Sequence, residues 1–407
     1  MSARKPLEGV KLIELGQLIA GPFAGRLFAE FGAEVIKIEP PAAEGQAGGD
    51  PLRQWRELYE GTSLWWYAQA RNKKSVTVNL RLAEGQEIVR RLARDADIVI
   101  ENFRPGTMER WGLGYERLSA ENPGLIMLRL SGFGQTGPYR DQAGFGAVGE
   151  SMGGLRYITG YPDRPPVRPN LSIGDSLASL HGVIGAMMAL HHRNMNGGRA
   201  NGKGQVVDVA LYEAVFSMLE STLPEFDMYG VVRERSGSNL SGIVPSNTYL
   251  SRDGQHVLIA ANGDSIFKRL CVAMGRDDLG DDPTLADNAG RAKRAEELDA
   301  AIGAWAAQHD AVTLLAILDR AQVPNGKIYS IADIVRDPQY LARNMIRQFT
   351  LEDGTPLKLP GIVPKLSETP GDIDWIGPAL GAHTDEVLQA HGYEAAAIAR
   401  LREDKVI

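Results

Sequence analysis

The chain has 407 residues, with 51 Asp and Glu, 44 Lys and Arg, seven His and a single cysteine, Cys271. A net charge of −7 argues against a nucleic-acid binder, which needs a basic face. One cysteine excludes an internal disulfide and a zinc site with two thiolates from this chain, and it favours a reducing cytoplasm. We therefore expect small-molecule chemistry and, at roughly 100–200 residues per domain, two or three domains.

The N-terminal residues 1–15 lack the apolar core of a signal peptide. No window reaches the roughly 18 uninterrupted apolar residues of a membrane helix. We expect a cytoplasmic protein that does not bind membranes.

Residues 10–130 alternate short apolar runs with segments of helical spacing. The runs predict strands at 10–15, 35–38, 75–80, 97–101 and 125–130, with helices at 23–31 and 83–94. Because strands that alternate with helices are typical of a parallel sheet, this part predicts an α/β, doubly wound, Rossmann-like domain.

An apolar helix at 176–195 and a strand at 205–211 follow, and the pattern changes near residue 225. Beyond it, residues 246–261 predict a β-hairpin around Asp253-Gly254. Helices are predicted at 264–274, 292–308 and 311–322, and a last helix starts at Thr384. The chain therefore divides into segments 1–225, 226–325 and 326–407, of which the middle one is a smaller α+β domain.

Several familiar motifs are incomplete. The first βα turn, 16–22, lacks the Gly-x-Gly-x-x-Gly spacing of NAD and FAD sites. The near-match to a phosphate-binding loop at 197–204 lacks the Ser or Thr and leads from helix to strand, the reverse of that motif. The seven histidines are scattered, and the adjacent His191 and His192 point about 100° apart on a helix, which favours structural roles and no metal site.

The remaining candidate for nucleophile or base is a carboxylate. Cys271 lies in an apolar helical stretch and favours a core position. Asp175 stands beside Gly174, directly before the apolar helix. One interpretation is an N-cap that satisfies free N–H groups; the other is an ionised carboxylate held by backbone donors, as a nucleophile requires.

Several ordered motifs resemble class III CoA-transferases of the CaiB/BaiF type, which include formyl-CoA transferases. They are residues 7–41, 72–80, 96–138, the Gly-Asp-Ser at 174–176, residues 204–215, and the closing Gly-x-His-Thr-x-Glu-Val-Leu at 381–388. The resemblance extends over nearly the whole chain. It implies an enzyme that transfers CoA, a sulfur-containing group, from an acyl-CoA to a carboxylic acid, with Asp175 as the nucleophile.

The resemblance also implies the positions that bind CoA, which is a substrate; no prosthetic group is implied. They are Ile19, Ala20, Lys73, Lys74, Asn102, Phe103 and Arg110. Cationic side chains suit the phosphates of CoA, and a polar-aromatic pair at a strand end suits the crevice of a parallel sheet.

The fold implied by the resemblance is a large Rossmann-like domain formed by both chain ends, 1–225 and 326–407, with the smaller domain 226–325 inserted. Two such chains interlock like linked rings in a homodimer. The active site then lies between the large domain of one subunit and the small domain of the other.

Two departures bear on the substrate. Formyl-CoA transferases that act on oxalate have Tyr-Glu where this chain has Phe145-Gly146, and four glycines where this chain has residues 261–264. The related acyl-CoA racemases have a catalytic His near Phe145, and phenylalanine cannot move a proton.

We therefore expect CoA transfer from a donor such as succinyl-CoA to a small dicarboxylic acid: malate, citramalate, mesaconate, itaconate or glutarate. Arg71, Arg164 and Arg168 are candidates to pair with the distal carboxylate, and Phe145 lines the substrate site. The alternatives are formyl-CoA or acetyl-CoA:oxalate transfer, transfer to carnitine or aromatic acids, an acyl-CoA racemase, and a catalytically silent CoA-binding homologue.

Overall fold

The computed structural model describes residues 5–45 and 47–407, which pack as two units. Of the described residues, the first unit contains those from 5 to 155, residues 169–220 and residues 344–407. The second contains residues 156–168 and 221–343. The domain boundaries at 225/226 and 325/326 stay a prediction; in the packing observed, residues 326–343 belong with the second unit.

The strands of the described residues are β1 (Lys11–Glu14), β2 (Glu34–Glu39), β3 (Leu58–Tyr59), β4 (Thr62–Ser63), β5 (Lys73–Thr77), β6 (Ile98–Glu101), β7 (Ile126–Ser131), β8 (Val206–Ala210), β9 (Ser246–Leu250), β10 (His256–Ala260), β11 (Asn325–Lys327), β12 (Ile346–Thr350) and β13 (Pro356–Pro360).

The helices in the first half of the chain are α1 (Ala20–Glu30), α2 (Leu64–Gln69), α3 (Ala83–Ala93), α4 (Thr107–Arg110), α5 (Tyr115–Glu121), α6 (Gly146–Met152), α7 (Leu155–Ile158), α8 (Ile173–Met195), α9 (Gly198–Asn201) and α10 (Leu211–Phe216). Those in the second half are α11 (Thr222–Tyr229), α12 (Asp264–Met274), α13 (Asp277–Gly280), α14 (Asn288–Lys293), α15 (Ala295–Ala306), α16 (Ala311–Arg320), α17 (Ile331–Ile334), α18 (Pro338–Ala342), α19 (Thr384–Ala390) and α20 (Ala395–Glu403). Short 3₁₀ turns occur at Pro51–Gln54 and Pro283–Leu285.

A six-stranded parallel sheet forms the centre of the first unit, in the order β5-β2-β1-β6-β7-β8. The order reverses beside β1, between β2 and β6, which is where an open parallel sheet has its ligand crevice. The predicted α/β class with a Rossmann-like sheet is confirmed. The carboxyl ends of β1, β2, β5 and β6 therefore share one edge.

Strands β1, β2, β6 and β7 are almost entirely buried on both faces, as their near-continuous apolar sequences predict. Successive residues of a strand point to opposite faces, so Ile98 and Ile100 pack in the same cluster as α1 and α8. Val99, between them, packs on the other face with side chains of α3, α19 and α20. The C-terminal segment therefore completes the core on that face.

The second unit has the predicted hairpin. Strands β9 and β10 pair antiparallel, and β11 pairs with β10 from the other side. Val257 and Ile259 of β10 are buried against Leu270 of α12 and Leu314 of α16. This unit therefore has a separate hydrophobic core.

Helix α8 is the described helix that is long and apolar enough to cross a membrane; α15 and α16 together meet the same criterion but are bent by 117°. Within the first unit, α8 packs on β7, α1 and α10. Its buried side is made mostly of small residues, including Ala178 and Ala186. Because small side chains let a helix approach a sheet closely, this pattern is also that of a core helix.

Candidate active site

A cavity of about 370 Å³ opens at the carboxyl edge of the sheet. Phe103 and Trp111 form one wall, with ring centroids 5.1 Å apart in an edge-to-face arrangement. Gln17 lines the cavity from the first βα turn, and Arg81 and Lys405 bring cationic side chains to it. The cavity thus combines an apolar wall with positive charge, as a nucleotide requires.

The backbone of the turn after β1 is hydrogen-bonded to the side chain of Asn102. The Gln17 N–H donates to Asn102 Oδ1 at 2.7 Å, and Asn102 Nδ2 donates to the Gln17 carbonyl at 2.8 Å. Glycine is required at position 16, because a Cβ there would lie 2.9 Å from Gly21 Cα and 3.2 Å from Asn102 Oδ1. The turn and the end of β6 are therefore closely fitted.

A buried ion cluster lies beneath the turn. Lys37 Nζ contacts Asp50 Oδ2 at 2.7 Å and Glu14 Oε1 at 3.2 Å, and it donates to the Gly16 carbonyl. Burial opposes the charge on Lys37, but the neighbouring carboxylates outweigh it and raise the pKa above its ordinary value. Burial likewise opposes the charge on Asp50, but Lys37 and the backbone N–H of Leu52 and Leu18 bring the pKa below its ordinary value.

Two of the predicted cationic contacts are buried. Lys73 Nζ lies 2.7 Å from Glu14 Oε2 and donates to the Pro22 carbonyl at 2.7 Å; burial lowers the pKa of Lys73 to about 8. Arg71 pairs with Glu30 and donates to the Pro360 carbonyl. The N–H groups of both side chains thus bind other parts of the protein. Neither residue is therefore an exposed cation of the kind that a CoA phosphate or the distal carboxylate of a substrate would need.

The other predicted CoA residues differ in exposure. Ile19 and Ala20 are buried at the start of α1, and Phe103 is half-buried in the cavity wall. Lys74 is half-buried and pairs with Glu34 and Glu386 at 2.9 and 2.8 Å. Arg110 is exposed and donates to Thr107 Oγ1. Arg110 is therefore an exposed cation, and Lys74 reaches solvent only partly.

Asp175 is the third residue of α8, whose cap position is Ser172. The helix thus begins before the predicted residue 176, and the N-cap interpretation of Asp175 is wrong. A Cβ built on Gly146 would lie 1.9 Å from Asp175 Oδ2. The carboxylate therefore occupies the space that any side chain at position 146 would need.

Hydrogen bonds close to Asp175 connect α8 to α1 and to α6. The buried Ser179 hydroxyl lies 2.7 Å from the Asp175 carbonyl and 2.7 Å from the Ala20 carbonyl. The Gly174 N–H donates to Glu150 of α6 at 3.4 Å, and Glu150 is fully buried. Ser179 thus brings Asp175 together with Ala20 at the predicted CoA turn, and the sequence offered no periodic or motif signal for either Ser179 or Glu150.

Unlike Arg71, the other three residues predicted to contact the acid substrate are exposed. Phe145 precedes α6 and is 68% exposed. Arg164 and Arg168 belong to residues 156–168 of the second unit and are exposed, with Arg164 near Asp163 and the Tyr161 ring.

In the second unit, the buried Arg291 binds the carbonyl of Asn262 and the carboxylate of Asp264, which fixes residues 262–264.

A model of CoA-transferase family III matches residues 7–384. The chain is 50% identical over 385 residues to the succinyl-CoA–D-citramalate CoA-transferase of Chloroflexus aurantiacus, over 94% of this chain and 93% of that protein. It is 40% identical over 406 residues to the succinyl-CoA–L-malate CoA-transferase alpha subunit of Chloroflexus aurantiacus, over 99% and 92% of the two chains. The crystal structure of a CaiB/BaiF family protein from Brucella suis superposes with a TM-score of 0.82 at 34% identity, over 95% of this chain and all of that one.

The chain therefore belongs to CoA-transferase family III. This confirms the resemblance drawn from the sequence motifs and the enzyme class that it implied.

Cys271 provides a test of the carboxylate assignment. It is 1% exposed within the core of the second unit, and burial raises its pKa to about 11. We expect the native thiol to resist Ellman's reagent at pH 7.5 and to react after denaturation, because little thiolate is present or accessible. Cys271→Ala should keep its transferase activity; a loss of turnover in folded protein would contradict the prediction.

Proposed function

We propose that this enzyme transfers CoA from succinyl-CoA to a four- or five-carbon dicarboxylic acid, with citramalate or malate as the acceptor. The activities for which the relatives from Chloroflexus aurantiacus are named support this substrate class, since both names specify succinyl-CoA and a dicarboxylic acid. The observation that carries the site assignment is the close approach of Asp175 Oδ2 to the bare Cα of Gly146, beside the turn that holds Ala20.

Asp175 is the nucleophile in this proposal. Its carboxylate attacks the thioester carbonyl and expels CoA thiolate, which leaves a mixed anhydride. The thiolate then attacks the aspartyl carbonyl, so that succinate departs and an aspartyl-CoA thioester remains. The acceptor carboxylate repeats these two steps in reverse order: it displaces the thiolate, which then takes the acceptor's acyl group and frees Asp175. Each step exchanges one activated acyl bond for another, so no ATP is consumed.

The CoA nucleotide occupies the cavity at the carboxyl edge. The wall of Phe103 and Trp111 suits the adenine ring, and Arg81 and Lys405 suit the phosphates by charge-assisted bonds. Arg110, which is exposed at the end of α4, is a further candidate cation for the phosphates. Lys73 supports CoA only indirectly, because its amine is bound to Glu14 and Pro22.

Arg164 and Arg168 are the proposed partners of the distal carboxylate of the acceptor, since both are exposed cations with long, adaptable side chains. Arg71 is withdrawn from this role because its guanidinium binds Glu30 and Pro360. Phe145 offers an exposed apolar surface beside Gly146 for the carbon chain of the acid.

The alternative activities have less support. The fixed residues 262–264 lack the freedom of a glycine loop, which disfavours the formyl-CoA:oxalate alternative. Phe145, next to Gly146 and Asp175, cannot exchange a proton, which disfavours a racemase.

We also propose a cytoplasmic homodimer. An exposed apolar stripe follows one face of α8 through Leu180, Ile184 and Met188, spaced four residues apart. Contiguous exposed apolar surface on a long helix marks an interface, so this stripe supports the expected self-association.

The substrate assignment is tested with a panel of acids. Purified enzyme and succinyl-CoA are incubated with citramalate, malate, mesaconate, itaconate, glutarate, oxalate and carnitine, and acyl-CoA products are measured by mass spectrometry. We expect citramalyl-CoA or malyl-CoA to form fastest. Faster transfer to oxalate or carnitine, or deuterium uptake at Cα without transfer, would refute the proposal.

Asp175→Asn tests the nucleophile. The amide keeps the shape of the side chain but cannot form the anhydride, so we expect turnover to fall by about a thousandfold or more while CoA still binds. In the wild type, succinyl-CoA without acceptor should give a peptide adduct at Asp175 that hydroxylamine cleaves. An adduct on another residue would show that this residue, and not Asp175, is the nucleophile.

Gly146→Ala tests the space next to the carboxylate. The new methyl group would displace Asp175 Oδ2, so we expect kcat to fall by at least roughly tenfold, because a misplaced reacting group loses its near-attack geometry. The matched control is Gly149→Ala in the same helix, whose Cβ would meet Leu211 at 2.8 Å and not Asp175. If both variants lose the same fraction of kcat, the effect is a general disturbance of α6 and the assignment is wrong.

A further inference from the structure

The backbone of the first βα turn is bound by side chains from three other parts of the chain. Asn102 accepts from the Gln17 N–H at 2.7 Å and donates to the Gln17 carbonyl at 2.8 Å. Asp50 accepts from the Leu18 N–H, with its two oxygens at 2.9 and 3.2 Å. Lys37 donates to the Gly16 carbonyl. Residues 16–18, called the clamped turn below, thus have a partner for each of these four backbone groups.

The clamped turn includes an unfavourable backbone conformation. Leu18 has a φ of +62°, in the left-handed region that non-glycine residues rarely adopt. Such a conformation persists only where surrounding structure over-determines it. The two hydrogen bonds to Asp50 supply that restraint, and Asp50 is in turn fixed by Lys37 at 2.7 Å.

The amide group of Asn102 is therefore committed to Gln17, and the carboxylate of Asp50 is almost fully buried beneath the turn. Gln17 itself lines the cavity. We infer that Asn102 and Asp50 are positioning residues, which act on CoA through the clamped turn rather than by touching it. This inference rests on the proposed CoA site. The turn is preorganised, so CoA binds without the cost of ordering it.

The decisive experiment compares Asp50→Asn with Asp97→Asn. Asp97 forms an equally buried ion pair with Arg193 at 2.9 Å, but it precedes β6 at the opposite edge of the sheet. Both variants lose one buried negative charge, so both should unfold at lower temperature. Each folded protein is measured in three ways: calorimetry gives the CoA dissociation constant, steady-state kinetics give kcat and the KM values for acyl-CoA and acid, and amide hydrogen exchange is followed at residues 15–22 without CoA.

For Asp50→Asn we expect the CoA dissociation constant and the KM for acyl-CoA to rise by about tenfold or more, since a charged hydrogen-bond partner is lost. The KM for the acid and kcat at saturating acyl-CoA should change less than about twofold. Exchange at residues 15–22 should become faster in the absence of CoA. Asp97→Asn should leave all of these at their wild-type values.

If Asp50→Asn fails to fold, the same measurements are made on the variant Asn102→Leu. A residue that only contacts CoA would weaken binding without altering exchange in the CoA-free protein, whereas a positioning residue accelerates exchange at Gln17 as well. Unchanged exchange and affinity in either variant would overturn the inference. Wild-type enzyme that does not bind CoA at this cavity would instead overturn the proposed CoA site itself, so the two failures are distinguishable.

Discussion

The buried ammonium group of Lys37 organises the edge of the sheet where the chemistry is proposed to occur. It lies inside the first unit with 1% exposure, bound to Asp50, Glu14 and the Gly16 carbonyl. A buried charge is tolerated only when it is paired and hydrogen-bonded, so these partners must keep their positions. The order of the first βα turn is therefore a consequence of ion pairing beneath it.

A second constraint is that residue 146 has no side chain. Asp175 can lie against α6 only because residue 146 is glycine, and α8 is held near α1 by the Ser179 hydroxyl. Together these contacts place Asp175, the proposed nucleophile, beside the turn that precedes α1. One constraint is the charge beneath the first βα turn and the other is close packing of α8, and both act on residues 16–20.

The sequence predicted the sheet well because most of its strands are buried on both faces and read as apolar runs. The helix boundary at Asp175 was misread, since Ser172 and Gly174 at its start carry no capping box or apolar period. The burial of Lys73 and Arg71 was not expected, for a different reason. A lysine or arginine in a sequence is by default a surface residue, and only the partners Glu14 and Glu30, distant in sequence, make burial possible.

The sequence by itself determined the family and the parallel α/β order, and it singled out Asp175 as the proposed nucleophile, because ordered motifs and strand patterns are local properties of the chain. Tertiary structure alone decided which cations face solvent and which ones hold the turn, because pairing depends on side chains separated by tens of residues. It also decided that Gly146 leaves room for the carboxylate and that Asn102 turns its amide toward Gln17. Distances between such segments follow from how the helices pack on the sheet, which no local pattern records.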